Sequence, residues 1–164
     1  DGIKRVSLEL GGKSPNIVFD DADLDVCIEK SVWSVFYNAG QDCCARSRFL
    51  VHRKIHDAFV SRLVARTKKI VVGHPEKKGT QIGPVISSRQ HEKIISYIAS
   101  GKNEGARLLC GGERPKGLPA KGHYVTHRVF FADEEAAIAA GYRPCGHCLR
   151  PAYREWLAAR TADG

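Results

Sequence analysis

The sequence predicts an α/β architecture: a mostly parallel sheet with flanking helices over residues 1–125, followed by a small α+β tail over 126–164. Three observations carry this. Short apolar runs alternate with helix-length amphipathic stretches at the spacing of strand–helix–strand units. The composition, 43% apolar and 27% charged, is that of an ordinary globular chain able to build one core. After Val125 the text changes into an Ala- and Arg-rich stretch around Cys145-x-x-Cys148.

Arg5 to Leu10 alternates polar and apolar residues, which suits a strand with Val6, Leu8 and Leu10 on one face and Ser7 and Glu9 on the other. Gly11-Gly12 ends that run, and Pro15 to Phe19 forms a second short strand. Asp20, Asp21 and Asp23 precede a helix from Leu24 to about Tyr37, acids standing where a helix N-terminus favours negative charge. Cys27 falls on its apolar side and reads as core. Ala39-Gly40 stops the helix and delivers Cys43 to a turn.

Phe49 to Val51 is the next strand. Ile55, Phe59, Val60, Leu63, Val64 and Ile70 then follow a helical period, with Lys68 and Lys69 near the C-terminal end. Residues 73–84 form a loop rich in Gly, Pro and Lys, and Ser87 to about Ser100 is a helix carrying Ile94, Ile95 and Ile98. Ala106 to Cys110 is a strand, and Gly111 to Gly122 a turn-rich connection.

The chemistry concentrates in Phe36 to Arg46, Phe-Tyr-Asn-Ala-Gly-Gln-Asp-Cys-Cys-Ala-Arg, read with Glu9 in Leu-Glu-Leu-Gly-Gly-Lys-Ser-Pro. A cysteine on a Gly-Gln turn at the end of an apolar helix has an exposed sulfur and nearby free N–H groups, and a carboxylate elsewhere can serve as base. An inert cysteine would instead be buried. Cys44 has no assigned role and reads as packing. The two segments resemble the general-base and nucleophile motifs of the aldehyde dehydrogenase superfamily, in the family's order and with a similar spacing, Cys43 standing 34 positions after Glu9.

The resemblance runs from about residue 4 to about 125 and implies a catalytic-domain fragment. It implies an enzyme oxidising a small-molecule aldehyde to a carboxylic acid with NAD or NADP. Cys43 would be the nucleophile, forming a thiohemiacetal and then a thioester, and Glu9 the general base for hydrolysis. The family holds the oxyanion with the nucleophile's backbone N–H and an asparagine side chain. The first would come from Cys43, and the second lies in a segment this sequence does not match. By register, Leu10, Gln90 and Lys93 would touch the cofactor. Bland alternatives stand beside them: sheet packing for Leu10, a capping box for Ser87-x-x-Gln90, a surface lysine for Lys93. The lack of any methionine and of a Gly-x-Gly-x-x-Gly fingerprint reads as an excerpt from a longer chain, without turnover when isolated.

From about residue 128 to 157 the text resembles part of an Ada-type metal-binding domain: an aromatic strand, an Ala-rich helix, then Gly141-Tyr142-Arg143-Pro144-Cys145-Gly146-His147-Cys148. Cys145 and Cys148 are half of a tetrahedral zinc site. His123 and His127, spaced as on one helical face, could complete it, although a site lost with its upstream ligands fits the text better. A disulfide oxidoreductase reading of Cys-Gly-His-Cys lacks the apolar strand that should precede it. The alternative function is therefore a zinc-binding, Ada-like DNA-interaction module carried on an inactive dehydrogenase fragment.

Charge bears on the partners. The net charge is +8, yet from Arg128 onward five arginines meet five acids, so the excess lies in the first 127 residues. There the lysines are scattered with few aromatics between them, a solvated face more than a nucleic-acid track, which argues against DNA binding. No apolar run suits a membrane span, and six irregularly spaced cysteines read as free thiols in the reducing cytoplasm. Exposed sheet edges would favour a homo-oligomer.

Overall fold

The computed structural model describes residues 2–119, 121–131 and 158. The element order is β1 (Pro15–Val18), α1 (Leu24–Phe36), a 3-10 turn (Tyr37–Gly40), β2 (Arg48–Val51), a second 3-10 turn (Arg53–Ile55), α2 (His56–Thr67), α3 (Ser88–Asn103), β3 (Arg107–Cys110) and β4 (Val129–Phe131). No helix among the described residues is long and apolar enough to cross a membrane.

β1, α1 and β2 form a βαβ unit in which β1 pairs with β2 in parallel, Pro15 against Arg48 through Val18 against Val51. Asp23 starts α1, its carboxylate accepting from the N–H groups of Asp25 and Val26 and satisfying two of the donors a helix N-terminus leaves orphaned. Ile28, Val32 and Phe36 recur every four residues on α1, as Phe59, Leu63 and Thr67 do on α2, and both stripes face one core with Val18, Ile70 and Ile82. Val32 is wholly buried, at 0% exposure. Cys27 is half-buried and packs against this core.

Ion pairs close the solvent side of the α1–α2 seam. Arg66 donates twice to Glu29, at 2.6 and 2.9 Å, Trp33 donates its indole N–H to the same carboxylate at 2.8 Å, and Arg62 reaches Asp25 at 2.8 Å. The Arg66 hydrogen bonds, then that of Trp33, lower the Glu29 pKa to about 2. The pair's half-exposed position keeps its worth modest, at about 0–1 kcal/mol.

A second, smaller core holds Val85, Ile94 and Ile98, with Ala39, Val125 and Phe130 against it. α3 is capped by Ser87, whose hydroxyl accepts from the Gln90 N–H. It runs three residues past the expected Ser100, to Asn103, and Gly105 in the left-handed region (φ 86°) turns the chain out of it.

Three expectations need correction. Residues 5–10 form no strand, and Leu10 is 71% exposed. A strand needs a neighbour for its backbone groups, and none of the described strands lies alongside this segment. The single mostly parallel sheet is instead one parallel pair, β1–β2, and one antiparallel pair, β3–β4, with isolated bridges at Val72–Ile82 and Val85–His123. The chain returns from β3 through a loop rather than a helix, and a loop return brings the next strand back antiparallel. His123 and His127 share no helical face. Their stretch is non-helical, with His123 bridged to Val85, and the two rings meet different neighbours, His91 and Phe36. The zinc-knuckle tail, including Cys145 and Cys148, lies outside the described residues.

Candidate active site

α1 gives way to three consecutive left-handed residues, Asn38 (φ 50°), Ala39 (φ 59°) and Gly40 (φ 76°). Glycine tolerates this region, asparagine partly, and alanine only at a cost of about 1–2 kcal/mol. Hydrogen bonds and packing hold the turn in place. The Asn38 amide donates to the Gln41 carbonyl (3.2 Å), the Gln41 amide donates to the Asn38 carbonyl (3.0 Å), and Ala39 packs against both cores. The Gln41 side-chain oxygen then accepts from the N–H of Ile86 at 3.1 Å, tying the turn to the loop that leads into α3.

This turn presents Cys43 and Cys44 to solvent. Cys43 Sγ points at Glu9 Oε2, 3.9 Å away, so the two residues singled out from the sequence meet across 34 positions. Cys44, expected to pack, is exposed and hydrogen-bonded: its N–H and its thiol both donate to Asp42 Oδ1 at 3.2 Å. The Cys44 thiol bond, then its backbone N–H, lower the Asp42 pKa, and the same carboxylate pushes the Cys44 thiol up. The adjacent thiols are therefore inequivalent, Cys44 engaged as a donor to Asp42 and Cys43 facing Glu9.

Sequence reasoning passed over Asn38, Gln41 and Asp42 as working parts of the site. The signal was present for Asp42, since an aspartate two residues before an N–H it can accept from is an Asx-turn pattern. For Gln41 no local signal exists, because its partner Ile86 is 45 positions away.

The residues expected beside a cofactor lie in two places. Leu10 directly follows Glu9 in the exposed N-terminal segment, whereas Gln90 and Lys93 lie on α3, with the Lys93 ammonium 5.9 Å from the Tyr97 ring centre. The Gln41–Ile86 bond links the Cys43 turn to the residue preceding the α3 cap.

The family model described as the aldehyde dehydrogenase family matches residues 1–140, running past the change of text at Val125. A betaine aldehyde dehydrogenase from Sinorhizobium fredii is 49% identical over 128 residues, covering 78% of this chain and 26% of its own length. The mitochondrial aldehyde dehydrogenase of Homo sapiens is 50% identical over 129 residues, covering 78% and 24%. Among solved structures, HpcC from Thermus thermophilus superposes with a TM-score of 0.76 at 43% identity, covering 83% of this chain and 27% of that one. The NAD+ complex of an aldehyde dehydrogenase from Bacillus cereus gives 0.72 at 44% identity, covering 77% and 25%. The chain spans about a quarter of the length of the curated relatives it matches. With the match extending over most of these 164 residues, the chain belongs to the aldehyde dehydrogenase family.

Proposed function

We propose that this chain carries the nucleophile and the general base of an NAD(P)-dependent oxidation of a small-molecule aldehyde to a carboxylic acid. The observation that carries the reading is the 3.9 Å contact between Cys43 Sγ and Glu9 Oε2. In that reaction the Cys43 thiolate adds to the carbonyl carbon, giving a thiohemiacetal whose oxyanion takes a hydrogen bond from the Cys43 N–H. When bound, the nicotinamide cofactor supplies the hydride acceptor, and Leu10, Gln90 and Lys93 are the residues of this chain that would touch it. The remaining thioester is cleaved by water whose proton passes to Glu9, releasing the acid and restoring the thiol–carboxylate pair. Asn38, Gln41 and Asp42 act beneath the site by holding the turn. The names of the relatives, betaine aldehyde dehydrogenases among them, support an aldehyde substrate. A cytoplasmic setting is the reading we adopt from the four thiols, Cys27, Cys43, Cys44 and Cys110, that are free among the described residues.

Thioester chemistry can be tested in this chain without hydride transfer. Hydrolysis of 4-nitrophenyl acetate should be lost in Cys43→Ala and fall by about 10²–10⁴-fold in Glu9→Gln. NAD-dependent aldehyde oxidation by the 164-residue chain alone should be undetectable. Ester hydrolysis unchanged in Cys43→Ala would refute the nucleophile assignment.

A separate tail module from about residue 126, with Cys145 and Cys148 as zinc ligands, rests on the sequence alone. One zinc ion fewer per chain in the native mass spectrum of the Cys145→Ser, Cys148→Ser variant than in that of the parent supports it. Homo-oligomerisation draws support from the exposed apolar residues of β1 and β2, Ile17 and Leu50.

A further inference from the structure

The Cys43 turn holds more soft-metal chemistry than aldehyde oxidation uses. Asp42 Oδ, Cys43 Sγ and Cys44 Sγ all lie within 4.8 Å of one another. Glu9 Oε2 approaches Cys43 Sγ from a different segment at 3.9 Å. Ligands around a tetrahedral zinc ion, at metal distances of about 2.0–2.3 Å, stand about 3.3–3.8 Å apart, so small side-chain rotations close the three-ligand set of Asp42, Cys43 and Cys44, and Glu9, which approaches Cys43 alone, must swing further to take the fourth position. Two thiolates with two carboxylates suit a thiophilic d10 cation and suit hard cations such as magnesium poorly. Residues this exposed leave the ion an open path in, and the backbone beneath them is already held by the Asn38–Gln41 bonds.

We propose that Asp42, Cys43 and Cys44, with Glu9 as fourth ligand, form a binding site for a thiophilic divalent cation of the zinc type. The site is distinct from the Cys145-x-x-Cys148 knuckle. Binding replaces the two thiol protons, which pass to solvent, by two metal–sulfur bonds, with no change in oxidation state. The seated ion occupies the sulfur read as the nucleophile, so cation and aldehyde exclude one another. That last consequence rests on the aldehyde-oxidation reading; the binding itself does not.

The test uses the full 164-residue chain carrying Cys145→Ser and Cys148→Ser, so that the knuckle cannot contribute. Cadmium, the spectroscopic substitute for zinc, should produce a thiolate-to-metal charge-transfer band that saturates at one ion per chain. Cys44→Ser should weaken binding by at least tenfold, since losing even an outer partner costs about 10–100-fold. Asp42→Asn should weaken it as well, with far-UV circular dichroism showing both variants folded. Zinc should slow alkylation of Cys43, and a chelator should restore it. Absence of the band, or affinity in both Cys44→Ser and Asp42→Asn within twofold of the parent, would overturn the proposal. Ester hydrolysis in the metal-free chain reports separately on the catalytic reading.

Discussion

The seam between α1 and α2 and the turn that follows α1 meet at Phe36, yet one obeys every local rule and the other breaks several. In the seam, apolar residues recur at the helical period, an aspartate caps the first turn, and charges pair on the solvent side. In the turn, asparagine and alanine occupy left-handed backbone, both thiols are exposed, and the side chains bond back to their own loop. Local preference and packing agree in the first region. In the second they conflict, and such conflicts are expected to collect where a chain does chemistry. The seam is built for stability and the turn for presentation.

Phe59→Ala attacks the seam where it is tightest. Phe59 is 1% exposed and packs at a tilt against Phe49 with ring centres 5.5 Å apart, so truncation should cost about 3–5 kcal/mol in urea unfolding. If the regions are as separate as their construction suggests, the alkylation rate of Cys43 in the variant, measured well below its unfolding midpoint, should match the parent. A large change in that rate would mean that the turn depends on the core beneath it.

His127 lies at the junction, its ring stacked on Phe36 with centres 4.5 Å apart and its buried Nε2 without a hydrogen-bond partner. Burial, with a smaller contribution from the charge of Arg128, lowers its pKa from 6.5 to about 4. The unfolded chain therefore binds the proton more readily. Stability from this group is fully present above pH 6.5 and falls as the pH drops toward 4, by up to about 3 kcal/mol. Urea titrations across that window should show the loss, and His127→Phe should flatten it. An identical slope in the variant would place the acid sensitivity elsewhere.

Ala39→Gly sharpens the comparison at its smallest scale. Removing the side chain from a residue at φ 59° relieves the left-handed cost, while the lost contacts with both cores offset part of the gain. A net stabilisation of about 0.5–1 kcal/mol is expected from chemical denaturation. Destabilisation would show that Ala39 serves chiefly as packing.

What could be read before folding was whatever depends on neighbours in sequence. Asp23 and Ser87 announce helix starts, the four-residue recurrence of Ile28, Val32 and Phe36 marks a buried face, and the Gly40-Gln41 break after a helix marks an exposed turn. The Glu9–Cys43 pair was legible only as two matched motifs, since nothing local brings together groups 34 positions apart. The alternation at residues 5–10 misled because a period of two states which face would be buried without supplying a partner strand.

By itself, then, the sequence determined where the helices begin, which of their sides are apolar, and which residues have the chemistry to react. Tertiary structure alone decided that β4 returns antiparallel to β3, that Gln41 reaches Ile86, that Cys44 serves Asp42 rather than the core, and that His127 is buried against Phe36. The reason is one of range. Backbone preference and periodicity act over a few residues and are written in them, whereas pairing and burial depend on which distant surfaces meet once the chain has closed on itself.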